Sequence, residues 1–388
     1  MSRFCCYVPN LGRYKIFKLK ELSNTITKGT TAKQFTDSGI NFIKIESIMS
    51  RKSLSSKKSY ISKIEHENYL KRSILQQNDI LFSIAGALGI VHIVQGKELP
   101  ANTNQALSII RLSNKNDTEY VAWFLETNKI KKIISELKSI GAQPNLSLEQ
   151  VGNFNITYYE DKKSRDFLVR LMNSIEDRIE TQNKIIDKLE SLRVQIKERI
   201  FDLGSLKKTI SDVLIESNKK SNVQDQYPVL SSTVKGLFLQ SDYFDREVAS
   251  SDNIGYKIVK KGQIIISPQN LWMGNLTYND SFEHGIVSPS YKVFDIKEAY
   301  SKIYIYWLLT SKHSLFNYGL VSEQGASIVR RNLNYDSFLN ITLPLCNEEQ
   351  QKHISKLIKS IEAKLKIEKQ RAELFAKQKN YLLSNLFI

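Results

Sequence analysis

Tyr120–Lys129 reads YVAWFLETNK, and Tyr304–His313 reads YIYWLLTSKH. Trp123 answers Trp307 at an offset of 184, and Leu125 answers Leu309 at the same offset. Gly141-Ala142 and Gly325-Ala326 match in the same way. Further on, NITYY from Asn155 answers NITLP from Asn340 at an offset of 185, and a long helical pattern follows in each half at 186. Offsets that drift by single steps mark a diverged duplication with small loop changes, so two copies of one unit are predicted.

In the first helical pattern Leu168, Met172, Ile175, Ile179, Ile186, Leu189, Ile196 and Ile200 recur at three- and four-residue steps. In the second, Ile354, Ile358, Ile361, Leu365, Ala372, Phe375, Leu382 and Leu386 fall at the same places plus 186. The interruptions match as well: Gln182 answers Glu368, and Arg193 answers Lys379. A 3.5-residue apolar period with charged flanks is the coiled-coil pattern, and two such helices are expected to pair. Asn347-Glu-Glu-Gln350 reads as a capping box, Ser164 with Asp166 as its weaker counterpart, and Gly204 as the stop of the first helix. Ser164 to Phe201 would span about 57 Å at 1.5 Å per residue.

Outside the long helices the chain alternates or runs apolar at strand length, as in GINFIKIESI, DILFSIAG, GIVHIV and QALSIIRL, then YPVLSSTV, YKIVKKGQIIIS and YKVFDI. The predicted class is α+β, two globular domains separated by two long antiparallel coiled-coil helices, with internal duplication and pseudo-two-fold symmetry. The expected boundaries are a first domain over 14–158, a first long helix over 164–203, a polar connector over 205–226, a second domain over 227–345 and a second long helix over 347–388. Trp123 and Trp307 are read as core.

Lys+Arg number 56 against 40 Asp+Glu, a formal charge of +16 with pI near 9.4. That excess favours nucleic acid or an anionic membrane surface as partner over a merely basic surface. No apolar run approaches the roughly 18 residues that span a bilayer. The N-terminal MSRFCCYVPNLGRYK lacks a signal peptide's apolar core and cleavage site. Cys5, Cys6 and Cys346 offer no disulfide framework and no CxxC pair, and the five histidines show no ligand spacing. A cytoplasmic, metal-free chain is expected.

Signatures of catalysis are missing together. There is no GxxxxGK(S/T) to cradle phosphate, and Gly86-Ala-Leu-Gly89 opens an apolar strand rather than a helix. The seven prolines are isolated, so no polar-Pro-Pro-aromatic methylation site is present. Glu46 and Asp79 lie near strands without a matching pair in the second half.

The order domain, helix, domain, helix resembles the specificity subunits of type I restriction-modification systems over nearly the whole chain. The resemblance is carried by NITLPLCNEEQQKHISKLIKSIEAK and the terminal LLSNLF, and more weakly by NITYYEDKKSRDFLVRLMNSIEDR and KERIF. YKIVKKGQIIISPQNLWMGNL with GIVSPSYKVF looks like one variety of target recognition domain, and KGTTAKQF with NQALSII like another. Tyr158-Tyr159 and Lys163-Ser-Arg165 depart from the family's usual Leu-Pro and Glu-Gln. The resemblance implies a non-catalytic chain that reads a bipartite, asymmetric target on double-stranded DNA. It further implies docking of two methyltransferase subunits and of restriction (motor-nuclease) subunits. S-adenosylmethionine, ATP and magnesium would then belong to those partners, with no cofactor in this chain. A coiled-coil scaffold whose basic domains bind protein is the alternative, and an enzyme with an unrecognised site is a second.

Base reading needs side chains at groove edges, with Asn or Gln suited to adenine and Arg to guanine. The candidates in the first domain are Lys28, Thr30 and Thr31, then Arg51, Lys52, Lys57 and Lys58, then Asn104 and Gln105. In the second they are Gln269, Asn270 and Trp272, then Ser290 and Tyr291, then Arg330, Arg331 and Asn332. Each lysine pair reads equally well as a solvated face, and Gln105 as structural. Helix pairing is assigned to Leu168, Met172, Ile175, Ile179, Ile186, Leu189, Ile354, Ile358, Ile361, Leu365, Phe375 and Leu382.

Overall fold

The computed structural model describes residues 11–138, 145–243, 252–324 and 330–387. Gly141-Ala142 and Gly325-Ala326, and with them one part of the repeat, lie outside the described residues. Two compact units emerge, residues 1–183 with 370–388, and residues 184–369. The division falls inside both long helices, Lys162–Leu203 and Glu348–Asn385. Each unit therefore holds one α+β domain and a portion of both helices.

In the first unit a four-stranded antiparallel sheet has the order Ser23–Lys28, Leu107–Leu112, Ile80–Ser83, Val91–Ile93. In the second the order is Leu214–Glu216, Lys292–Ile296, Ile264–Ile266, Leu276–Tyr278. Ile80 pairs with Ile110, and Ile264 pairs with Phe294, so this strand pair is repeated at the tryptophan offset. The polar link across the sheet repeats with different chemistry. Arg111 grips Asp79 with two hydrogen bonds of 2.8 and 2.7 Å, where Gln263 donates to Asp295 at 3.0 Å. A diverged copy keeps the sheet and exchanges the groups that tie it.

Apolar steps on the long helices seat these domains. Leu168, Met172 and Ile175 are buried in one core with Tyr120, Trp123 and Phe124, joined there by Leu382, Leu386 and Phe387. Ile358 occupies the matching core with Tyr304, Trp307 and Leu345, and Ile354 packs against it half-buried. A fully buried side chain of this size contributes roughly 1.5–3 kcal/mol before chain entropy is subtracted. Several positions assigned to helix pairing thus also anchor a domain. Ile361 and Leu365 are buried, while Ile179, Ile186, Leu189 and Phe375 are half-buried.

Helix pairing is visible within each unit. In the first, Lys379 meets Glu176 at 2.7 Å; in the second, Arg193 meets Glu362 at 3.7 Å. Arg193 corresponds to Lys379, and Glu176 to Glu362, at the helix offset, so one bond is made twice with the helices exchanging roles. Self-complementary surfaces behave this way. Glu190 also meets Lys369 at 2.6 Å. Advancing from Glu190 to Arg193 on one helix retreats from Lys369 to Glu362 on the other, which makes the pairing antiparallel. Gln182 and Glu368 are buried, and Lys364 pairs with Glu368.

Four expectations need correction. The segment 205–226 is not a connector. Leu206–Thr209 pairs with Thr342–Leu345, and Leu214–Glu216 is the edge strand of the second sheet. Lys207 and Lys208 stand exposed on the strand Leu206–Thr209 while Ile210, Val213 and Leu214 are buried, which makes the stretch look polar. The second domain therefore starts near 206 rather than 227, as the first starts at Tyr14.

The second correction concerns NITYY and NITLP. Ser147 and Asn334 cap short helices whose C-caps are Asn153 and Asn340, and the carbonyls of Phe154 and Ile341 accept from Leu19 and Ile210. The true offset is 187, with Asn153 rather than Asn155 opposite Asn340. A two-residue slip preserves strand alternation, so the apolar pattern could not expose it. At the helix starts, Asn347 and Gln350 do form the reciprocal capping box, at 3.2 and 2.9 Å. The first helix is capped instead by Asp161, which accepts from Lys163 N at 3.1 Å and from the Ser164 hydroxyl at 3.1 Å. Finally, Gly204 follows the helix because a Cβ there would meet the Pro344 carbonyl oxygen at 2.2 Å, not because it turns left-handed.

Candidate nucleic-acid interface

The first domain's candidates divide sharply. Arg51 is buried at 5% exposure. Its guanidinium lies 3.3 Å from the centre of the Trp123 ring and donates to Asn173 at 3.0 Å. Glu126 and Glu119 approach it at 3.5 and 3.8 Å. Burial pushes its pKa down, against the opposing pull of those carboxylates. Arg51 is withdrawn as a DNA contact, because a side chain enclosed by its own protein has no face left for a groove. Lys52, though exposed, is held by Glu119 at 2.6 Å.

Two candidate loops distant in sequence do meet. Gly29 N donates to the Leu107 carbonyl at 3.1 Å and Thr30 N to the Thr103 carbonyl at 3.0 Å. Thr31 hydroxyl donates to Gln105 Oε1. A Cβ on Gly29 would meet the Asn104 carbonyl oxygen at 2.1 Å, so only glycine lets the two backbones approach this closely. Lys28, Thr31 and Gln105 are exposed there, with Thr30 and Asn104 half-buried. Gln105 therefore does have a structural bond. Asn102, at the base of the loop, is core: it donates to the Leu70 carbonyl at 2.9 Å and to Ser73 at 3.1 Å.

Lys57 and Lys58 line a cleft of about 220 Å³ together with Lys97, Asn41, Ser55 and Ser59. Sequence reading missed Lys97, and also Arg72, whose Nη2 reaches the Thr30 hydroxyl at 3.4 Å. Lys71-Arg72 was visible as a basic pair, but nothing local tied it to a loop so much earlier in the chain.

In the second domain Pro268–Met273 forms a short 3-10 turn against which Arg331–Leu333 packs. This brings Gln269, Asn270 and Trp272 together with Arg331 and Asn332. Arg331 lies over the Trp272 ring with its guanidinium carbon 4.0 Å from the ring centre. Gln269, Arg330 and Asn332 are exposed. Ser290 is exposed with its hydroxyl 3.1 Å from that of Ser288. Tyr291 is half-buried against the cluster of Leu230, Val259 and Val293, and its hydroxyl donates to the Ser232 carbonyl at 3.3 Å. Its ring packs the domain and its polar tip is already engaged.

Arg165, noted above as a departure from pattern, has a structural explanation. Its Nη1 bonds the Tyr159 carbonyl, as Gln351 Nε2 bonds the Cys346 carbonyl at 2.8 Å. Arg165 does the work of the glutamine and adds an ion pair to Asp117 at 3.1 Å. Among the described residues no cluster of three His, Cys, Asp or Glu could hold a metal ion, and no helix is long and apolar enough to cross a membrane.

Comparison with known proteins agrees with the fold. Residues 12–200 match the family model of the type I restriction modification DNA specificity domain. A protein described as the MjaX type I restriction enzyme specificity subunit of Methanocaldococcus jannaschii is 25% identical, across 96% of this chain and 92% of that protein. The fold is that of a type I restriction-modification S subunit from M. genitalium, with TM-score 0.59, 13% identity and 98% of each chain covered. A chain solved for complex assembly and conformational transition of the type I R-M system gives TM-score 0.58 at 14% identity, over 96% of this chain and 97% of that one. With its second unit repeating the sheet of the first, the chain is similar to type I restriction-modification specificity subunits over nearly its whole length.

Proposed function

We propose that the chain reads a bipartite, asymmetric target on double-stranded DNA, one half-site per domain, and docks two methyltransferase subunits along its helices, with restriction subunits joining that assembly. The observation that carries this is one sheet built twice with different side chains displayed on it. Lys28, Thr31 and Gln105 stand beside the first sheet, while in the second domain Gln269 and Asn270 lie on the 3-10 turn Pro268–Met273 and Arg331 on a separate strand that packs against it. Identical scaffolds with unlike tips suit two unlike half-sites. The formal +16 charge supplies the sequence-independent attraction, through phosphate neutralisation and counterion release. Repetition of the Glu176–Lys379 bond as Arg193–Glu362 supports two equivalent docking places for one kind of partner.

In this reading the chain supplies address and no reaction, acts in the cytoplasm, and carries no cofactor. S-adenosylmethionine, ATP and magnesium are used by its partners. The scaffold alternative loses ground because the matching family model is a DNA specificity domain and the matching relative a specificity subunit. The test replaces residues 14–158 with the corresponding domain of a related protein and co-expresses the methyltransferase. Single-molecule sequencing of modified bases should show one half of the target changed and the other intact. Both halves changing together would overturn the reading, because the domains would then form one composite surface. Native mass spectrometry should find two methyltransferase subunits per chain; a stable one-to-one complex under excess partner would remove the docking claim.

A further inference from the structure

The polar inventory around Trp272 is incomplete. Arg331 Nε and Asn270 Oδ1 are both buried, and neither has a hydrogen-bond partner among the described residues. They sit on elements packed against each other, the 3-10 turn Pro268–Met273 and the strand Arg331–Leu333. An unpaired buried donor and acceptor each cost about 1–3 kcal/mol, and native proteins leave few such groups without a reason. The Nη atoms of Arg331 are also free: no hydrogen bond or ion pair among the described residues engages them, and they remain at the surface. The guanidinium is nonetheless held in place, because its carbon lies over the indole, 4.0 Å from the ring centre. A flat cation on an aromatic face gains cation–π attraction and loses side-chain freedom before any ligand arrives. What stays open is the outer fork, two parallel N–H donors with no acceptor among the described residues.

We infer that Arg331 is the guanine reader of the second half-site, with Trp272 as the positioning residue that holds its fork. Two parallel N–H groups match the O6 and N7 acceptors of guanine in the major groove, the commonest specific contact between side chain and base. A phosphate would also accept from the fork bidentately, but it carries no sequence information, so only a guanine contact would make a base preference depend on Arg331. At the tryptophan offset, the position equivalent to Trp272 in the first domain is Leu88, so the first domain has no such platform there. The two halves of the target are then read by unlike devices, as an asymmetric target demands. This inference rests on the reading of the second domain as a half-site reader.

The test uses the full chain co-expressed with its methyltransferase and reads the methylated target in cells. Arg331→Ala should relax one guanine position in the second half-site, lowering the preference there roughly 5- to 150-fold, and leave the first half-site unchanged. Trp272→Leu should relax the same position to a smaller degree, and Trp272→Phe should restore most of it. A uniform fall in methylation with no position relaxed would overturn the inference in favour of a phosphate contact. So would a second half-site without guanine, or an Arg331→Ala target identical to the wild type. A merely structural role for Trp272 would lower the folded fraction of both variants without moving any base preference. The bipartite reading fails separately, if the wild-type assembly shows no two-part methylated target at all.

Discussion

Arg51 and Arg331 make the same contact and end in opposite states. Each lays its guanidinium on a tryptophan, 3.3 Å from the Trp123 ring centre in one case and 4.0 Å from Trp272 in the other. Around Arg51 the protein adds Asn173, Glu119 and Glu126, and Lys379 reaches Glu126 at 3.3 Å and Glu176 at 2.7 Å. That ring of charges ties the turn after Ile48–Ser50 to the Trp123 helix and to both long helices. Around Arg331 no carboxylate is engaged among the described residues. Stacking on an indole therefore says little about role. The company of carboxylates decides whether the cation is structural or available.

Replacing the cations is the most severe test of this contrast. Arg51→Met should destabilise the first unit by about 3 kcal/mol, near the low end for breaking a buried pair because Glu119 and Glu126 keep some solvent. Urea unfolding of the full chain followed by tryptophan fluorescence would measure it, and a loss below about 1 kcal/mol would mean that Arg51 is dispensable to the fold. The repeated helix bond offers a second comparison at smaller scale. A double-mutant cycle on Glu176 and Lys379 should give a coupling of about 1 kcal/mol, against about 0.3 kcal/mol for Arg193 and Glu362. The first pair is shorter and less exposed, at 21% and 30% for Lys379 and Glu176 against 39% and 46% for Arg193 and Glu362. Equal couplings would show that local burial is irrelevant to this contact. The smallest expected effect is the most discriminating: Arg331→Ala should change unfolding stability by less than about 0.5 kcal/mol while altering target preference. A stability loss comparable to that of Arg51→Met would place Arg331 in the same structural class and end the contrast.

Much of the fold was legible in residue spacing. The offset between Trp123 and Trp307 reappears in strand pairing, and the offset between the two helices reappears in the bonds of Lys379 and Arg193. Periodicity carries such information because burying one face of a helix or sheet imposes it on the sequence. Legibility failed where that signal is weak. Leu206–Thr209 is an edge strand whose Lys207 and Lys208 face solvent, so it passed for linker. The offset across NITYY slipped by two because strands repeat every two residues.

The candidate interface was legible only as a set of loops and basic pairs. Lys28–Thr31 and Asn104–Gln105 stand far apart in sequence, and nothing local to either foretells their contact through Gly29. Arg51 and Lys52 matched the pattern of a surface pair as well as Arg330 and Arg331 did.

Sequence alone determined the duplication, the two heptad helices, the α+β class and the excess of positive charge, since each is a property of order along the chain. Tertiary structure alone decided which cations are spent. The partners of Arg51 are Glu119, Glu126 and Asn173, all far along the chain from it, and only folding sets their carboxylates and amide around the guanidinium. Coulomb attraction and desolvation depend on distance and burial, and neither is written in the local sequence.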